Sequence, residues 1–290
     1  MRFLTLPAAA VLLLVAHPLN AQVSDAALRE VMRDAGATPT AASLLRASNA
    51  ARLMRDYDAA EGYLDRAWDE SGPVFNGLVN NAILFQLASG GGVGGAQRAF
   101  YDLRQVFHFT PVQISGISGN YPELLAGGEF DDMILRLSPD ATDPQYRCAC
   151  YNTQAWVHRL AGRHAEAAGI WATLVDGQIA TVNATTDKDA EAQVRGQYAR
   201  NLARAGEDAE ARRQLEMSMD TEVSEGALPA VRRRWAQAFA ELGDVEGAVE
   251  QLEPLLEANS LITIHTLESR VAWALVRDAP EFQALLARHR

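Results

Sequence analysis

Three segments of the chain share one pattern, and this repetition constrains the fold more than any other feature of the sequence. Residues 155–174 read AWVHRLAGRHAEAAGIWATL, residues 199–215 read ARNLARAGEDAEARRQL, and residues 236–252 read AQAFAELGDVEGAVEQL. Each has a helix-like stretch, a glycine turn, and a second helix-like stretch with an early alanine. Sequences rich in Ala and Leu, with Glu and Arg, favour helix. The pattern therefore predicts a chain built from helical hairpins.

The repeat can be aligned on the residue at each turn. Successive turn residues lie 36, 37, 34, 44 and 37 residues apart, and five of the six are glycines, which suits a tight turn after a helix. They are Arg55, Gly91, Gly128, Gly162, Gly206 and Gly243. Five residues after the turn stands an alanine in five copies, and nine residues after it a large apolar residue in all six. The small residue lets two helices approach closely, and the large one lies on the same helical face.

The turn and second helix of these copies resemble the tetratricopeptide repeat, whose unit is two antiparallel helices in about 34 residues. The segments GRHAEAAGIW and GDVEGAVEQL carry the resemblance best. It covers residues 40–258, and it is weakest over residues 110–140, where Asn120-Tyr121-Pro122 restricts helix locally. The resemblance implies an all-α fold of about six hairpins stacked as a right-handed curved solenoid, because one hairpin cannot bury its apolar faces alone.

Two flanking segments complete the expected organisation. Residues 23–39 are predicted to form a short leading helix before the first hairpin. Residues 259–290 are predicted to form capping helices that cover the exposed end of the stack, with one helix running from Ser260 to Val276. The 44-residue spacing before Gly206 indicates an insertion, which we place in the polar run at residues 176–189.

The first residues of the sequence predict export. Residues 1–22 read MRFLTLPAAAVLLLVAHPLNAQ, with a positive charge, an apolar run and then a small residue, which is the layout of a secretory signal peptide. The run is shorter than the roughly 20 apolar residues of a spanning helix, and the alternative is an uncleaved N-terminal anchor. No other segment is apolar enough to cross a membrane. The chain is therefore predicted to be exported to a bacterial periplasm or, as the alternative, secreted.

The chain is acidic, with a net charge of −11, or −12 once residues 1–22 and their one arginine are removed. Lys188 is the only lysine and no run of basic residues is present, so nucleic-acid binding is not expected. Cys148 and Cys150 are the only cysteines. An oxidising compartment permits a disulfide between them, but residues two apart in a helix point to nearly opposite sides, and two buried thiols are the alternative.

The sequence carries no motif for a catalytic, cofactor or metal site. The glycine run SGGGVGG at residues 89–95 lacks the Lys and Ser/Thr of a nucleotide-binding loop and follows no predicted strand, so we interpret it as a lengthened turn. The histidines do not pair with one another or with cysteine at metal-ligand spacing. We therefore predict no cofactor and no enzymatic activity.

The resemblance does imply a binding surface, because the first helix of each tetratricopeptide hairpin lines the concave groove. Eight residues of the first helices are predicted to share that face. They are Asn49, Arg52, Phe85, Asn152, Trp156, Arg159, Arg200 and Arg233. The arginines could bind acidic side chains or a terminal carboxylate, and the aromatic residues could anchor a peptide. The alternative is that the arginines form ion pairs with acids of neighbouring helices.

These features together predict an exported scaffold that binds a protein or peptide partner in its groove. The runner-up is a structural subunit of a cell-envelope complex, which large apolar patches on the convex side would favour. The third hypothesis is an enzyme with a site built across repeats, which would need converging ionisable groups in a deep pocket. Fold alone does not determine function, and the choice depends on what surrounds the eight groove residues.

Overall fold

The computed structural model describes residues 24–71, 76–107, 109–138, 144–258, 260 and 262–290. Within these ranges the chain forms helices and no strands, which confirms the all-α prediction. The predicted signal peptide, residues 1–22, lies outside the described residues. None of the described helices is both long and apolar enough to span a membrane.

Fifteen α-helices and two 3-10 helices make up the described part of the fold. In chain order the α-helices are α1 (Asp25–Ala37), α2 (Ala41–Leu53), α3 (Tyr57–Ser71), α4 (Asn76–Ala88), α5 (Gly92–Phe107), α6 (Pro111–Asn120), α7 (Asp131–Leu135), α8 (Pro144–Leu160), α9 (His164–Ala184), α10 (Lys188–Ala205), α11 (Asp208–Met219), α12 (Leu228–Glu241), α13 (Val245–Glu257), α14 (Ile264–Ser269) and α15 (Pro280–Arg288). The 3-10 helices are η1 (Pro122–Leu125), between α6 and α7, and η2 (Val271–Trp273), between α14 and α15.

Consecutive helices pack as pairs: α2 with α3, α4 with α5, α8 with α9, α10 with α11, and α12 with α13. First helices of neighbouring pairs also meet, since α2 packs on α4, α6 on α8, and α10 on α12. The repeated alanines are buried at these contacts; they are Ala60, Ala96, Ala167, Ala211 and Ala248. Most of the large residues four places later are buried as well; they are Phe100, Trp171, Leu215 and Leu252. The alternation of small and large residues thus drives the packing of helix pairs.

The turns between paired helices lie where the repeat alignment places them. Five of the six turn residues have left-handed backbone, as a tight turn after a helix requires: Arg55 (φ 60°), Gly128 (φ 73°), Gly162 (φ 75°), Gly206 (φ 86°) and Gly243 (φ 68°). At the remaining turn Gly90 and Gly92 take this conformation on either side of Gly91. The glycine run at residues 89–95 is therefore a turn followed by the first residues of α5.

Substitution of one turn glycine tests this account. Gly206→Ala is expected to lower the free energy of unfolding by about 1–2 kcal/mol, because a Cβ in left-handed backbone crowds the following carbonyl oxygen. An added Cβ would have no neighbouring atom within 4 Å, so backbone strain is the whole effect. Gly177→Ala, in the exposed interior of α9 and also in open space, is the matched control, and it is expected to gain up to about 1 kcal/mol. Urea denaturation of both variants measures these changes, and a loss in both would contradict the account.

The third copy of the repeat departs from a regular hairpin. Its first helix, α6, stops at Asn120, and Pro122 begins η1 instead of continuing the helix. Tyr121 has φ −129° and ψ 70°, which lies outside the helical region. A proline disfavours helical backbone at the residue before it, and Tyr121 precedes Pro122. The second helix, α7, has only five residues. The predicted local restriction of helix is confirmed, and it brings Tyr121 and Glu123 into the interior of the protein.

The longer spacing before Gly206 is accommodated by longer helices. α9 has 21 residues and α10 has 18. The break between them falls at Asp187, whose side chain accepts a hydrogen bond from the backbone N–H of Ala190 at 2.8 Å and so caps α10. The predicted insertion at residues 176–189 therefore forms the end of one helix and the start of the next.

The C-terminal segment, residues 262–290, forms helices, but not the continuous helix predicted from Ser260 to Val276. α14 has six residues, Arg270 then takes extended backbone with ψ 134°, and η2 follows. The helix ends there because the buried carboxylate of Glu123 accepts hydrogen bonds from the backbone N–H of Val271 at 2.9 Å and from Arg270 Nε at 3.3 Å. The prediction of one continuous helix was wrong because this partner lies far away in the sequence.

The C-terminal segment also returns to the N-terminal hairpins. α14 packs on α4 and α5, η2 packs on α12, and α15 packs on α13. Thr263 Oγ1 donates a hydrogen bond to the carbonyl of Ala88 at 3.3 Å, and Arg55 Nη2 donates one to the carbonyl of Leu256 at 2.6 Å. Arg55 thereby joins the last hairpin to the first, Thr263 joins the C-terminal segment to the second, and this segment contacts the first helices α4 and α12.

Candidate functional site: an arginine cluster

Seven arginines converge between the first helices and the C-terminal segment, and we call them the arginine cluster. They are Arg52 on α2, Arg159 on α8, Arg200 and Arg204 on α10, Arg233 and Arg234 on α12, and Arg270 after α14. Arg200 lies close enough to Arg204, Arg234 and Arg270 to be repelled by each of them. Arg52 and Arg233 both act on the hydroxyl of Tyr121. Residues from hairpins far apart in the sequence therefore share one electrostatic environment.

The contact between α10 and α12 positions four of the arginines. Arg200 Nη1 donates a hydrogen bond to Gln237 Oε1 at 2.9 Å, and Arg234 Nη1 donates one to Gln197 Oε1 at 2.8 Å. These reciprocal bonds tie the two helices together. Gly196 allows the close approach, since a Cβ there would lie only 3.1 Å from the Cβ of Arg234.

One side of the arginine cluster is a paired, structural assembly. Glu241, with a side chain 3% exposed, accepts hydrogen bonds from Arg159 Nη1 at 2.7 Å and from Arg204 Nε at 2.6 Å. The guanidinium of Arg204 also stacks over the rings of Trp156 and Trp171, at 4.6 Å and 5.2 Å from their centroids. Ion pairing and cation–π attraction both stabilise these two cations in a site removed from water.

The other side of the cluster is not paired in this way. Within the described residues Arg233 forms no hydrogen bond and no ion pair, and its Nε is buried without an acceptor. The Nε atoms of Arg52 and Arg200 and the Nη2 of Arg204 are likewise buried without a protein acceptor. Arg52 as a whole is only 4% exposed. A buried N–H group without an acceptor is costly, and more so on a charged group.

Burial and mutual repulsion act together on these guanidinium groups. Burial lowers the pKa of Arg52 to about 10, and burial with repulsion from neighbouring arginines lowers the pKa of Arg234 to about 9. The same two causes, burial first, bring the pKa of Arg200 well below its usual value and lower the pKa of Arg233. A guanidinium keeps its proton at neutral pH, so the unfavourable positive charge persists.

The charge balance of the cluster is opposite to that of the whole chain. Two buried carboxylates, Glu123 and Glu241, face the seven guanidinium groups, which leaves a formal charge of +5. The chain itself has a net charge of −11. A concentration of partly buried positive charge in an acidic protein is the arrangement expected of an anion-binding site.

The C-terminal segment forms one wall of the cluster. Arg270 lies over the ring of Tyr121, 5.4 Å from its centroid, and its Nη2 donates a hydrogen bond to the carbonyl of Asn120 at 2.7 Å. Glu123, which is 1% exposed, accepts hydrogen bonds from Arg270 Nε and from the backbone N–H of Val271. Part of the site is therefore supplied by residues that follow the last hairpin.

The structure brings the four predicted groove arginines together and separates them by role. Arg159 pairs with Glu241, as the ion-pair alternative proposes. Arg52, Arg200 and Arg233 instead keep buried donors without protein acceptors.

The other four predicted groove residues support the site or lie away from it. Asn49 Oδ1 accepts a hydrogen bond from Arg52 Nη2. Trp156 is buried beneath Arg204. Phe85 is buried between the first two hairpins, and Asn152 donates a hydrogen bond to the carbonyl of Gly119 at 2.8 Å. None of these four offers an exposed aromatic anchor to a peptide.

Sequence reasoning missed five residues of the site: Arg204, Arg234, Arg270, Glu123 and Glu241. Arg204 could have been found, because it lies four residues after Arg200 and so on the same face of one helix. Arg270 and Glu123 gave no comparable signal, since each acquires its role only through a contact between distant parts of the chain.

The possible disulfide and the absence of a metal site remain predictions. Cys150 is buried, and the side chain of Cys148 lies outside the described part of the structure. Among the described residues, no group of three or more His, Cys, Asp or Glu side chains could hold a metal ion.

A scan against known protein families finds no match to this chain, and a search of curated proteins finds no significant relative. The class of ligand that the site could bind is therefore inferred from the site residues themselves. Those residues offer several guanidinium donors at one place and suit the capture of an anionic group.

Proposed function

We propose that the protein is an exported, tetratricopeptide-like scaffold that binds an acidic segment of a protein partner through the arginine cluster. The observation that carries the proposal is the set of buried guanidinium N–H groups on Arg52, Arg200 and Arg233 that have no acceptor in the described protein. Carboxylates are the natural partners of such donors, because they form charge-assisted and often bidentate hydrogen bonds with arginine.

The scaffold part of the proposal is supported by the repeat. Paired helices, left-handed turns and buried alanines at constant spacing are the features expected of stacked tetratricopeptide hairpins. The right-handed curved solenoid belongs to the proposal, as does export to a periplasm, which rests on the pattern of residues 1–22.

The C-terminal segment narrows the way in which a partner would bind. Because this segment packs on the first helices α4 and α12 and bonds to Glu123, an extended peptide would not lie along an uninterrupted groove. An acidic side chain or a terminal carboxylate would instead enter the cluster, while the rest of the partner stays outside. Trp156 and Phe85 are buried, so recognition in this proposal depends on the arginines alone.

A peptide-binding measurement tests the proposal with a matched pair of variants. Arg233→Gln removes the unpaired cation, whereas Arg232→Gln removes its neighbour, which donates to Gln251 at 3.4 Å and lies outside the cluster. The probes are fluorescent poly-glutamate and poly-glutamine peptides of equal length, followed by anisotropy in a buffer without phosphate. We expect binding of poly-glutamate only, weakened roughly tenfold to a hundredfold by Arg233→Gln and unchanged by Arg232→Gln.

Two results would contradict the proposal. Equal binding of both peptides would mean that charge is not recognised, and equal effects of the two substitutions would place binding elsewhere on the surface. Either result would favour the alternative that the chain is a structural subunit of a cell-envelope complex.

A further inference from the structure

The strongest unexplained feature of the molecule is the excess positive charge of the arginine cluster, which its two carboxylates do not neutralise. Arg233 has no ion pair, and both Arg200 and Arg234 bond only to neutral glutamines in the described structure. An acidic partner protein would relieve this charge only while it is bound. In the absence of a partner, the folded protein would have to hold five excess positive charges together.

The arginines of the cluster come together from four helices and the C-terminal segment. Arg200, Arg234 and Arg270 lie close enough to affect one another electrostatically, and Arg52 on α2 and Arg233 on α12 both act on Tyr121. A carboxylate is planar and offers two oxygens, which suits one or two guanidinium groups in its plane. A tetrahedral oxyanion offers three or four oxygens in different directions and carries more charge, so it can accept from more of these donors at once.

The walls of the cluster favour a compact anion over a long one. Tyr121 and Glu123 are buried on the η1 side, and η2 packs on α12. Hydrogen bonds from Arg270 to Asn120 and Glu123 fasten the C-terminal segment there. Arg52 and Arg204 are buried and the other five arginines are partly buried, so water screens the attraction less than at an open surface, which strengthens each charge-assisted hydrogen bond.

We propose that the arginine cluster is a binding site for a compact, multiply charged oxyanion of the phosphate class. This site goes beyond the binding of an acidic partner segment, because it needs no partner protein. A bound oxyanion neutralises part of the charge that Arg52, Arg200, Arg233 and Arg234 share, and it competes with any carboxylate that enters the cluster. It also stabilises the docked C-terminal segment, since Arg270 belongs to the same electrostatic environment.

Titration calorimetry with inorganic phosphate and with pyrophosphate tests this site directly. Chloride and acetate at the same ionic strength serve as controls for general screening. We expect saturable binding of one oxyanion per chain, and a higher unfolding temperature in its presence. Arg233→Gln is expected to weaken binding roughly tenfold to a hundredfold, while Arg232→Gln leaves it unchanged.

The outcomes separate this site from the proposed function. Failure of both phosphate and pyrophosphate to bind, or equal stabilisation by chloride, would overturn the oxyanion site whatever the peptides do. Oxyanion binding without poly-glutamate binding would support this site and remove the proposed function. Arg233 forms no hydrogen bond in the described structure, so the Arg233→Gln variant is expected to fold. Circular dichroism checks its folding before each titration. If phosphate bound equally to that variant, the binding would lie outside the cluster and the site would be rejected.

Discussion

Glu241→Gln is expected to lower the free energy of unfolding by about 3–5 kcal/mol, because it removes the carboxylate from a buried ion pair. The carboxylate of Glu241 bonds Arg159 at 2.7 Å and Arg204 at 2.6 Å. A neutral amide would leave both cations uncompensated beside Arg200, whose own charge is already disfavoured by burial and by Arg204. Denaturation in urea, followed by tryptophan fluorescence, measures the loss.

The effect of this substitution should depend on pH. Burial alone would raise the pKa of Glu241, but Arg204, Arg159 and Arg200 together bring it below its usual value. An acid with a lowered folded-state pKa stabilises the protein above its unfolded pKa, about 4.3 for glutamate, and this contribution is lost as the pH falls through the folded-state pKa. The difference between wild type and Glu241→Gln is therefore largest near pH 7 and shrinks below about pH 4.3.

Glu250→Gln is the matched control for Glu241→Gln. Glu250 is an exposed acid on the next helix, α13, and substitutions at such positions usually change stability by less than about 0.5 kcal/mol. A loss below about 1 kcal/mol for Glu241→Gln, or an equal loss for both variants, would show that the ion pairs do not matter for stability. A difference that stayed constant from pH 7 to pH 3 would contradict the electrostatic explanation.

Glu123→Ala is expected to release the C-terminal segment and to destabilise the protein by about 3–5 kcal/mol. The substitution removes the acceptor of the Val271 N–H and of Arg270 Nε, and it leaves Arg270 without its carboxylate among other arginines. Limited digestion with trypsin measures the release, because Arg270 and Arg277 lie in the segment and become cleavable once it undocks. Urea denaturation gives the accompanying loss of stability.

Glu129→Ala provides the comparison for Glu123→Ala. Glu129 lies a few residues later in the same region, but it is exposed and bonds Arg104 at 3.1 Å at the surface. Surface pairs contribute up to about 1 kcal/mol, so this variant should keep its C-terminal segment protected from trypsin. Equal cleavage of the two variants would mean that Glu123 does not fasten the segment.

Local pattern was sufficient to predict much of the fold. The spacing of alanines and large apolar residues around the turns predicted paired helices, and the structure has them. Asn120-Tyr121-Pro122 predicted the interruption that ends α6. These features follow from interactions within one or two turns of helix or between adjacent helices. Such interactions depend on the spacing of residues that are near one another in the sequence.

The candidate site was only partly predictable for the opposite reason. The first-helix arginines Arg52, Arg200 and Arg233 could be chosen by their position in the repeat, but the pattern did not distinguish them from Arg159, which pairs with Glu241. Whether a given arginine is paired or unpaired depends on which acid lies within a few ångströms of it. No periodic feature of the sequence specifies that distance.

The sequence by itself therefore determined that this protein is helical, where its helices turn, and which residues pack between paired helices. Tertiary structure alone decided that the C-terminal segment docks on Glu123, that two carboxylates compensate only part of the arginine cluster, and that some of the remaining donors are buried without an acceptor. The partners in these contacts are 82 residues apart for Arg159 and Glu241 and 148 apart for Val271 and Glu123. Electrostatic and hydrogen-bond energies depend on distance in space, and only the complete fold sets that distance for residues so far apart in the chain.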